Sequence, residues 1–401
     1  MPSSALPLPN GRLCPFGPAP EIGAIRESPS LPRVSCPTGI DAWLVTRYAD
    51  AREVLGDPHR FSSKPGTAGH ILANTPPDAP IDAGQFVRMD GADHLRFRRV
   101  LAPAISTAKR IAAIEPMVRR IVDDKLDELG AGARPVDLHE QFAQPVTTAV
   151  IAELFGVPES DRGLFHQAAD ALFLGTAEEL DVLVGKLYQL LMELIARRRS
   201  EPTEDSLGIL VGRGPDLTDF ELFTTAVTTL LAGYDTTSSM ISHATLALLR
   251  DPAQFALLRE DPAVLPGAVE EFMRLLGSAG AVLRVATADT VLSGTPIAAG
   301  DYVVVSVQGA NHDPAQFADP GRLDLRRDAR QHLAFGFGPH RCVGQQLARM
   351  ELTVVLGTLS RRVPGLRLTV PFDEIEFKTG TPNTGPVSLP VTWDELLPRP
   401  R

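Results

Sequence analysis

Phe335–Gly344 reads FGFGPHRCVG. Gly336, Gly338 and Gly344, with Pro339 between them, exclude a regular helix or strand. They describe a tight loop whose backbone approaches something closely. Cys342 lies just before Gln345–Arg362, where Leu347, Met350 and Val354 fall on one face at helical spacing. The N–H groups of such a loop and of a helix N-terminus stabilise a thiolate.

A thiolate held this way can ligate haem iron, ligate another metal, or act as a nucleophile. Zinc needs further ligands, and His340 two residues away is not enough. A nucleophile needs a base and an oxyanion site, and nothing adjacent offers them. The plainer alternative is a buried structural cysteine at a turn, which the surrounding glycines and the following helix disfavour.

Composition narrows the classes. The chain has 401 residues, 44% apolar and 22% charged, which is ordinary for a folded globular protein. With 39 Lys+Arg against 49 Asp+Glu the net charge is −10, which argues against a dedicated nucleic-acid binder. Three cysteines, Cys14, Cys36 and Cys342, are too few and too scattered for a disulfide framework. The N-terminus lacks a charged start followed by an apolar run, so no signal peptide is expected and a reducing cytoplasm is the default.

Along the chain, residues 1–40 are Pro-rich and predict an irregular N-terminal segment, with residues 41–401 forming one domain. Ala42–Tyr48 reads as a strand. Residues 62–91 read as a long irregular loop. From Asp93 to Arg250 the pattern is mostly helical. Asp137–Gly156 opens on an N-cap type and ends on a helix-stopping glycine, and Thr176–Arg199 ends in cations that suit a helix C-terminus. Asp216–Leu249 predicts one helix of more than thirty residues, apolar and Thr-rich on nearly every face and so running through the core. A membrane span is rejected there, because Asp235 sits in its middle and no second span exists. Val282–Ala286, Val291–Ser293 and Tyr302–Val307 read as short strands. The fold class is mainly α with a small β portion in a single domain.

The cysteine loop resembles that of the cytochrome P450 family, whose haem-ligand pattern is FGxGxHxCxG. Phe335, Gly336, Gly338, His340, Cys342 and Gly344 match every fixed place. The resemblance covers about residues 40 to 395 and has the look of the soluble bacterial class. It implies haem b as cofactor and Cys342 as the axial thiolate, which pushes electron density onto the iron and favours O–O cleavage.

Other segments match in order. Glu271–Arg274 supplies an ExxR pair, whose two charges share a helix face. The family completes it with a further arginine, a place that Arg322 in Asp319–Leu323 takes, with Leu323 where the family has an aromatic. Ala310–Pro314 resembles an ANRDP segment with His312 for arginine, a structural rather than catalytic histidine. Ala232, Gly233, Tyr234, Asp235, Thr236 and Thr237 resemble the oxygen-binding motif. There Gly233 leaves room beside the helix, a threonine hydroxyl can bond back to the carbonyl of Ala232, and Asp235 with Thr236 forms a carboxylate–hydroxyl proton relay. His94, Arg98, Arg284 and His340 match the partners of the haem propionates.

The resemblance therefore implies a monooxygenase that places one atom of O2 in a mostly apolar small molecule, as a hydroxylase or epoxidase tailoring a secondary metabolite. Oxidative coupling or a peroxygenase activity on the same haem, or a non-catalytic haem sensor, are the alternatives. Asp235–Thr236 argues against the peroxygenase, and a sensor would need neither that pair nor a large pocket. Electrons must come from a separate ferredoxin or flavodoxin-type donor with its reductase, docking on cations such as Arg96, Arg99, Arg341 and Arg349. The pocket is expected from residues 62–87, 161–175, 278–283 and 380–386 with the long helix.

Overall fold

The computed structural model describes residues 5–9, 16–64, 71, 81, 83–164, 167–168, 171, 177–379 and 383–400. Its centre is the helix Asp219–Arg250. Thr218 and Glu221 start it as a capping box: the Thr218 hydroxyl accepts from the Glu221 N–H at 3.2 Å, and the Glu221 carboxylate accepts from the Thr218 N–H at 2.8 Å. Leu222, Ala226, Leu230, Met240, Ile241, Ala244 and Leu248 are buried along it, so it crosses the interior as its sequence predicts. The helices Gln144–Leu154, Ala177–Ser200 and Gln345–Arg362 pack around it.

The β portion is a six-stranded sheet in the order β1 (Leu6–Pro7), β2 (Arg33–Ser35), β3 (Asp41–Val45), β9 (Tyr302–Ser306), β6 (Ala281–Ala286), β4 (Phe61–Ser62). Val303, Val304 and Val305 of β9 are all buried, because helix and loop cover both faces of that central strand. A three-stranded sheet joins β10 (Arg367–Leu368), β11 (Pro390–Thr392) and β5 (Val136–Asp137), and β7 (Thr290–Leu292) pairs with β8 (Thr295–Ile297).

One expectation needs correction. Residues 1–40 are not irregular throughout: β1, the helix Glu21–Glu27 and β2 lie there, and β2 pairs antiparallel with β3. Prolines punctuate this segment, yet Val34 at the middle of β2 is fully buried, and tertiary pairing outweighs the turn signals. Asp137 closes β5 and caps the helix expected after it. A π-helical stretch at His139–Ala143 runs straight into Gln144–Leu154, and Asp137 Oδ1 accepts from the His139 N–H at 2.8 Å and the Glu140 N–H at 3.4 Å. Much of 62–91, parts of 161–175 and residues 380–382 lie outside the described residues, so the pocket walls expected there are only partly seen. Among the described residues no helix is long and apolar enough to cross a membrane.

Candidate active site

The loop around Cys342 is built as its glycines require. Gly336 and Gly338 have φ of +70° and +71°, and a Cβ on Gly338 would lie 2.6 Å from the carbonyl oxygen of Leu55. The Cys342 N–H returns to the Phe335 carbonyl at 2.7 Å and closes the loop. The N–H groups of Gly344 and Gln345, at the start of the next helix, donate to the sulfur. Burial pushes the thiol up; those N–H groups and the Arg98 and Arg349 guanidiniums oppose the shift without overcoming it. Cys342 is crowded by protein on most sides, yet the residue is exposed. Both hold when a side chain deep in the molecule opens onto an internal cavity.

The long helix faces an opening of the same kind. Thr228, Leu231 and Thr236 are half-buried and Ala232 is exposed, in the middle of a helix otherwise packed in the interior. Their spacing makes one stripe. The Thr236 hydroxyl donates to the Ala232 carbonyl at 2.6 Å, the back-bond expected from the sequence. Gly233 has a different role from the one its motif implies. A Cβ there would lie 3.1 Å from Cδ1 of Ile151, so the glycine admits the Gln144–Leu154 helix, and Ala232 is the residue that borders open space.

Asp235 and Thr236 are adjacent in sequence but look in different directions. Asp235 is buried, with Oδ1 accepting from Lys378 Nζ at 2.7 Å and Ser239 Oγ at 3.4 Å, and Oδ2 accepting from Asn383 Nδ2 at 2.6 Å. Lys378 and Asn383 lie 143 and 148 residues further on, and no sequence pattern pairs them with Asp235.

The four side chains expected to bind propionates come together around one end of the helix Gly91–Ile105. His94 is buried and stacks on His340 with ring centroids 4.0 Å apart. Burial, then the charges of His340 and Arg98, pull His94 down to about 4. His340 Nε2 meets Asp90 Oδ1 at 3.3 Å, and Asp90 also accepts from Ser62 Oγ at 2.5 Å. Arg284, on β6, is buried and, among the described residues, donates only to the Leu283 carbonyl at 2.8 Å; burial pulls it down to about 10. Among the described residues neither Arg98 nor Arg284 has a carboxylate in ion-pair contact. A buried guanidinium without an anion is costly, which marks a place where an anion belongs.

The ExxR pair is fully buried, on the helix Leu265–Leu276. Arg274 Nε and Nη2 donate to the two Glu271 oxygens at 2.7 and 2.8 Å, and Nη1 reaches the carbonyls of Asn311 and Pro320 at 3.0 and 2.8 Å. The third charge is Arg327, whose Nε donates to Glu271 Oε1 at 3.1 Å. This corrects Arg322. Its guanidinium is exposed beside Asp324 at 3.7 Å, and only its backbone carbonyl faces the network. His312 is buried against the carbonyls of Gln308 and Phe16, the structural place expected for it. The proposed docking cations also divide. Arg96 pairs with Glu221 at 2.7 Å and Arg349 with Glu270 at 2.6 Å, whereas Arg99 and Arg341 are exposed with no acidic partner among the described residues.

Among the described residues no group of three or more His, Cys, Asp or Glu side chains could hold a metal ion. A metal at Cys342 must bring most of its ligands with it.

The family model described as Cytochrome P450 matches residues 210–363. Pentalenic acid synthase of Streptomyces avermitilis is 40% identical over 398 residues, covering 98% of each chain. Mycinamicin IV hydroxylase/epoxidase of Micromonospora griseorubida is 38% identical over 385 residues, covering 94% of this chain and 95% of that one. The crystal structure of CYP105P1 in complex with filipin I superimposes with a TM-score of 0.89 at 39% identity, over 98% of this chain and 99% of that one.

Proposed function

This chain belongs to the cytochrome P450 family, and on that premise we propose that it is a bacterial secondary-metabolite monooxygenase whose axial ligand is Cys342. It is a haem-iron enzyme that uses O2, a small-molecule substrate and an external source of electrons.

The residues fit a haem. Cys342 in the loop and Ala232 on the long helix are both accessible, and these are the residues that would border a haem. Arg98 and Arg284 are cations in want of anions, and haem b, iron protoporphyrin IX, carries two propionates. His94 and His340 complete that end of the site. Phe335, Gly336 and Gly344 shape the loop so that Sγ is presented toward the cavity.

When bound, the haem supplies the activation of O2, with one atom going to the substrate and the other leaving as water. The chain's part is to hold the substrate and move protons. Thr228, Leu231 and Ala232 offer a mostly apolar wall, and the half-buried residues 279–282 belong to a stretch expected to line the same pocket. The Thr236 hydroxyl, anchored on the Ala232 carbonyl, stands at the edge of the cavity where it can pass a proton, and Asp235 behind it supplies the next link. The substrate is an apolar natural product that is hydroxylated or epoxidised, in keeping with the names of the relatives. Electrons arrive from a separate ferredoxin or flavodoxin-type protein at the exposed Arg99 and Arg341, in the cytoplasm where reductant is available.

The accessible sulfur of Cys342 carries this reading. Cys342→His should retain part of the haem and lose the red-shifted absorption band of the reduced carbon monoxide complex. A band that survives in the variant removes Cys342 as ligand.

A further inference from the structure

We infer that Glu270 is a positioning residue for Arg349, and that the pair is an internal brace on the loop of Cys342 that sets how readily the bound haem takes an electron, an inference that rests on Cys342 being the axial ligand. Arg349 thereby leaves the docking role that its sequence position suggests.

Arg349 lies one turn into the helix Gln345–Arg362, and its side chain is only 18% exposed. All three of its nitrogens are engaged. Nε and Nη2 donate to the two Glu270 oxygens at 2.6 and 3.0 Å, a bidentate pair. Nη1 donates to the Gln345 carbonyl at 3.3 Å and to the Gln345 side-chain Oε1 at 2.9 Å. The guanidinium also lies 4.5 Å from the centroid of the Phe335 ring. One side chain therefore holds both ends of the loop. The Phe335 carbonyl accepts from the Cys342 N–H, and the Gln345 N–H donates to the sulfur. The Arg349 charge, after that of Arg98, favours the thiolate.

Glu270 reaches Arg349 from a different helix, Leu265–Leu276. Successive side chains on a helix point about 100° apart. Glu271 is turned into the buried network with Arg274 and Arg327, and Glu270 is turned to Arg349. His332 fixes it there. His332 Nδ1 accepts from the Ala334 N–H at 3.0 Å, so the ring proton sits on Nε2 and is donated to Glu270 Oε2 at 3.1 Å. Burial pulls His332 down, which keeps this neutral form. Burial pushes Glu270 up, but the bonds from His332 and Arg349 outweigh it and leave the carboxyl at about 2. The cluster thus holds one cation and one anion, and the cation is the member that touches the loop.

This charge order gives the two partners opposite signs. Without Glu270, an uncompensated cation stays at the loop and favours the reduced iron. Without Arg349, an anion stays and favours the oxidised iron. One half-buried charge shifts such an equilibrium on the order of tenfold, which is about 59 mV for a one-electron couple.

The test takes haem-loaded wild type, Glu270→Gln, Arg349→Gln, Arg349→Lys and the Glu270→Gln/Arg349→Gln double variant. Each is titrated by spectroelectrochemistry at pH 8, and the reduced carbon monoxide band is recorded. Binding of a plant-type ferredoxin is measured for wild type and the double variant, which have the same net charge.

Glu270→Gln should raise the ratio of reduced to oxidised protein at a fixed potential on the order of tenfold, and Arg349→Gln should lower it by a similar factor. The double variant should return to within about threefold of wild type, as should Arg349→Lys, which keeps the cation. Ferredoxin should bind the double variant as it binds wild type. Unmoved potentials in the single variants, with weaker ferredoxin binding by the double variant, would make Arg349 a docking cation and overturn the inference. Single variants that shift in the same direction would leave the pair a packing role and overturn it equally. A wild type without the red-shifted band would bring down the reading of Cys342, whereas unmoved potentials in proteins that keep the band bring down the inference alone. Should Glu270→Gln not load haem, Arg349→Gln against Arg349→Lys decides: a lowered ratio that lysine restores supports the brace, and equal ratios refute it.

Discussion

Glu271 receives four donors in a fully buried site: Arg274 Nε and Nη2, Arg327 Nε at 3.1 Å and the Asp324 N–H at 3.1 Å. This predicts a ranked series of variants. Glu271→Ala leaves Arg274 buried with three backbone carbonyls, those of Asn311, Pro320 and Arg322, and no counter-charge, at a cost of roughly 3–5 kcal/mol. A domain with a total stability of about 5–15 kcal/mol has little left after that. Arg327→Ala removes one donor of the four from a partner that is itself 14% exposed, and should cost about 2 kcal/mol. Arg322→Ala removes an arginine whose side chain is 65% exposed, with its nearest acid 3.7 Å away, and should cost within about 0.5 kcal/mol of nothing. Urea unfolding followed by far-UV circular dichroism, with haem content read from the Soret band, gives all three. Equal losses for Arg322→Ala and Arg327→Ala would refute the assignment of the third charge. A stable, haem-loaded Glu271→Ala would refute the buried network.

Three more outcomes are expected. Thr236→Ala should lower the product formed per NAD(P)H consumed and raise hydrogen peroxide release, while haem content and the carbon monoxide band stay as in wild type; unchanged coupling would take Thr236 out of the relay. Arg284→Met should speed haem loss to an apo-globin acceptor on the order of tenfold, since one charge-assisted hydrogen bond to a propionate is gone, and an unaltered rate would mean that Arg284 faces no anion. Glu351 is buried and burial pushes its carboxyl up to about 8, above the ordinary 4.5 of an unfolded chain. Its protonated form is the one that suits the fold, so its contribution is present in full below pH 4.5 and is lost as pH rises toward 8. By pH 7 the loss amounts to roughly 3 kcal/mol, of which about 2.5 kcal/mol should appear relative to Glu351→Gln between pH 5 and 7. Parallel stability–pH curves for the two proteins would contradict it.

Much of the molecule follows from local sequence. Thr218 and Glu221 fix where the long helix begins, and the glycines of Phe335–Gly344 fix the loop that turns Cys342 inward, because capping and positive φ are decided within a few residues. The face shared by Glu271 and Arg274 follows from their spacing of three on one helix. What local sequence could not decide was which distant groups meet these elements. Arg322 and Arg327 both lie in the stretch after ExxR, and only the path of the chain through residues 319–327 turns Arg327 inward and leaves Arg322 in solvent. Gly233 reads as room for oxygen until the neighbouring helix brings Ile151 against it. Asp235 reads as the partner of Thr236 in a relay, and only a segment more than 140 residues away, delivering Lys378 and Asn383, occupies its two oxygens. Capping, turn geometry and helix spacing are short-range and are written in neighbouring residues. Partnerships of buried charge depend on which surfaces the folded chain brings together, and no single segment encodes that.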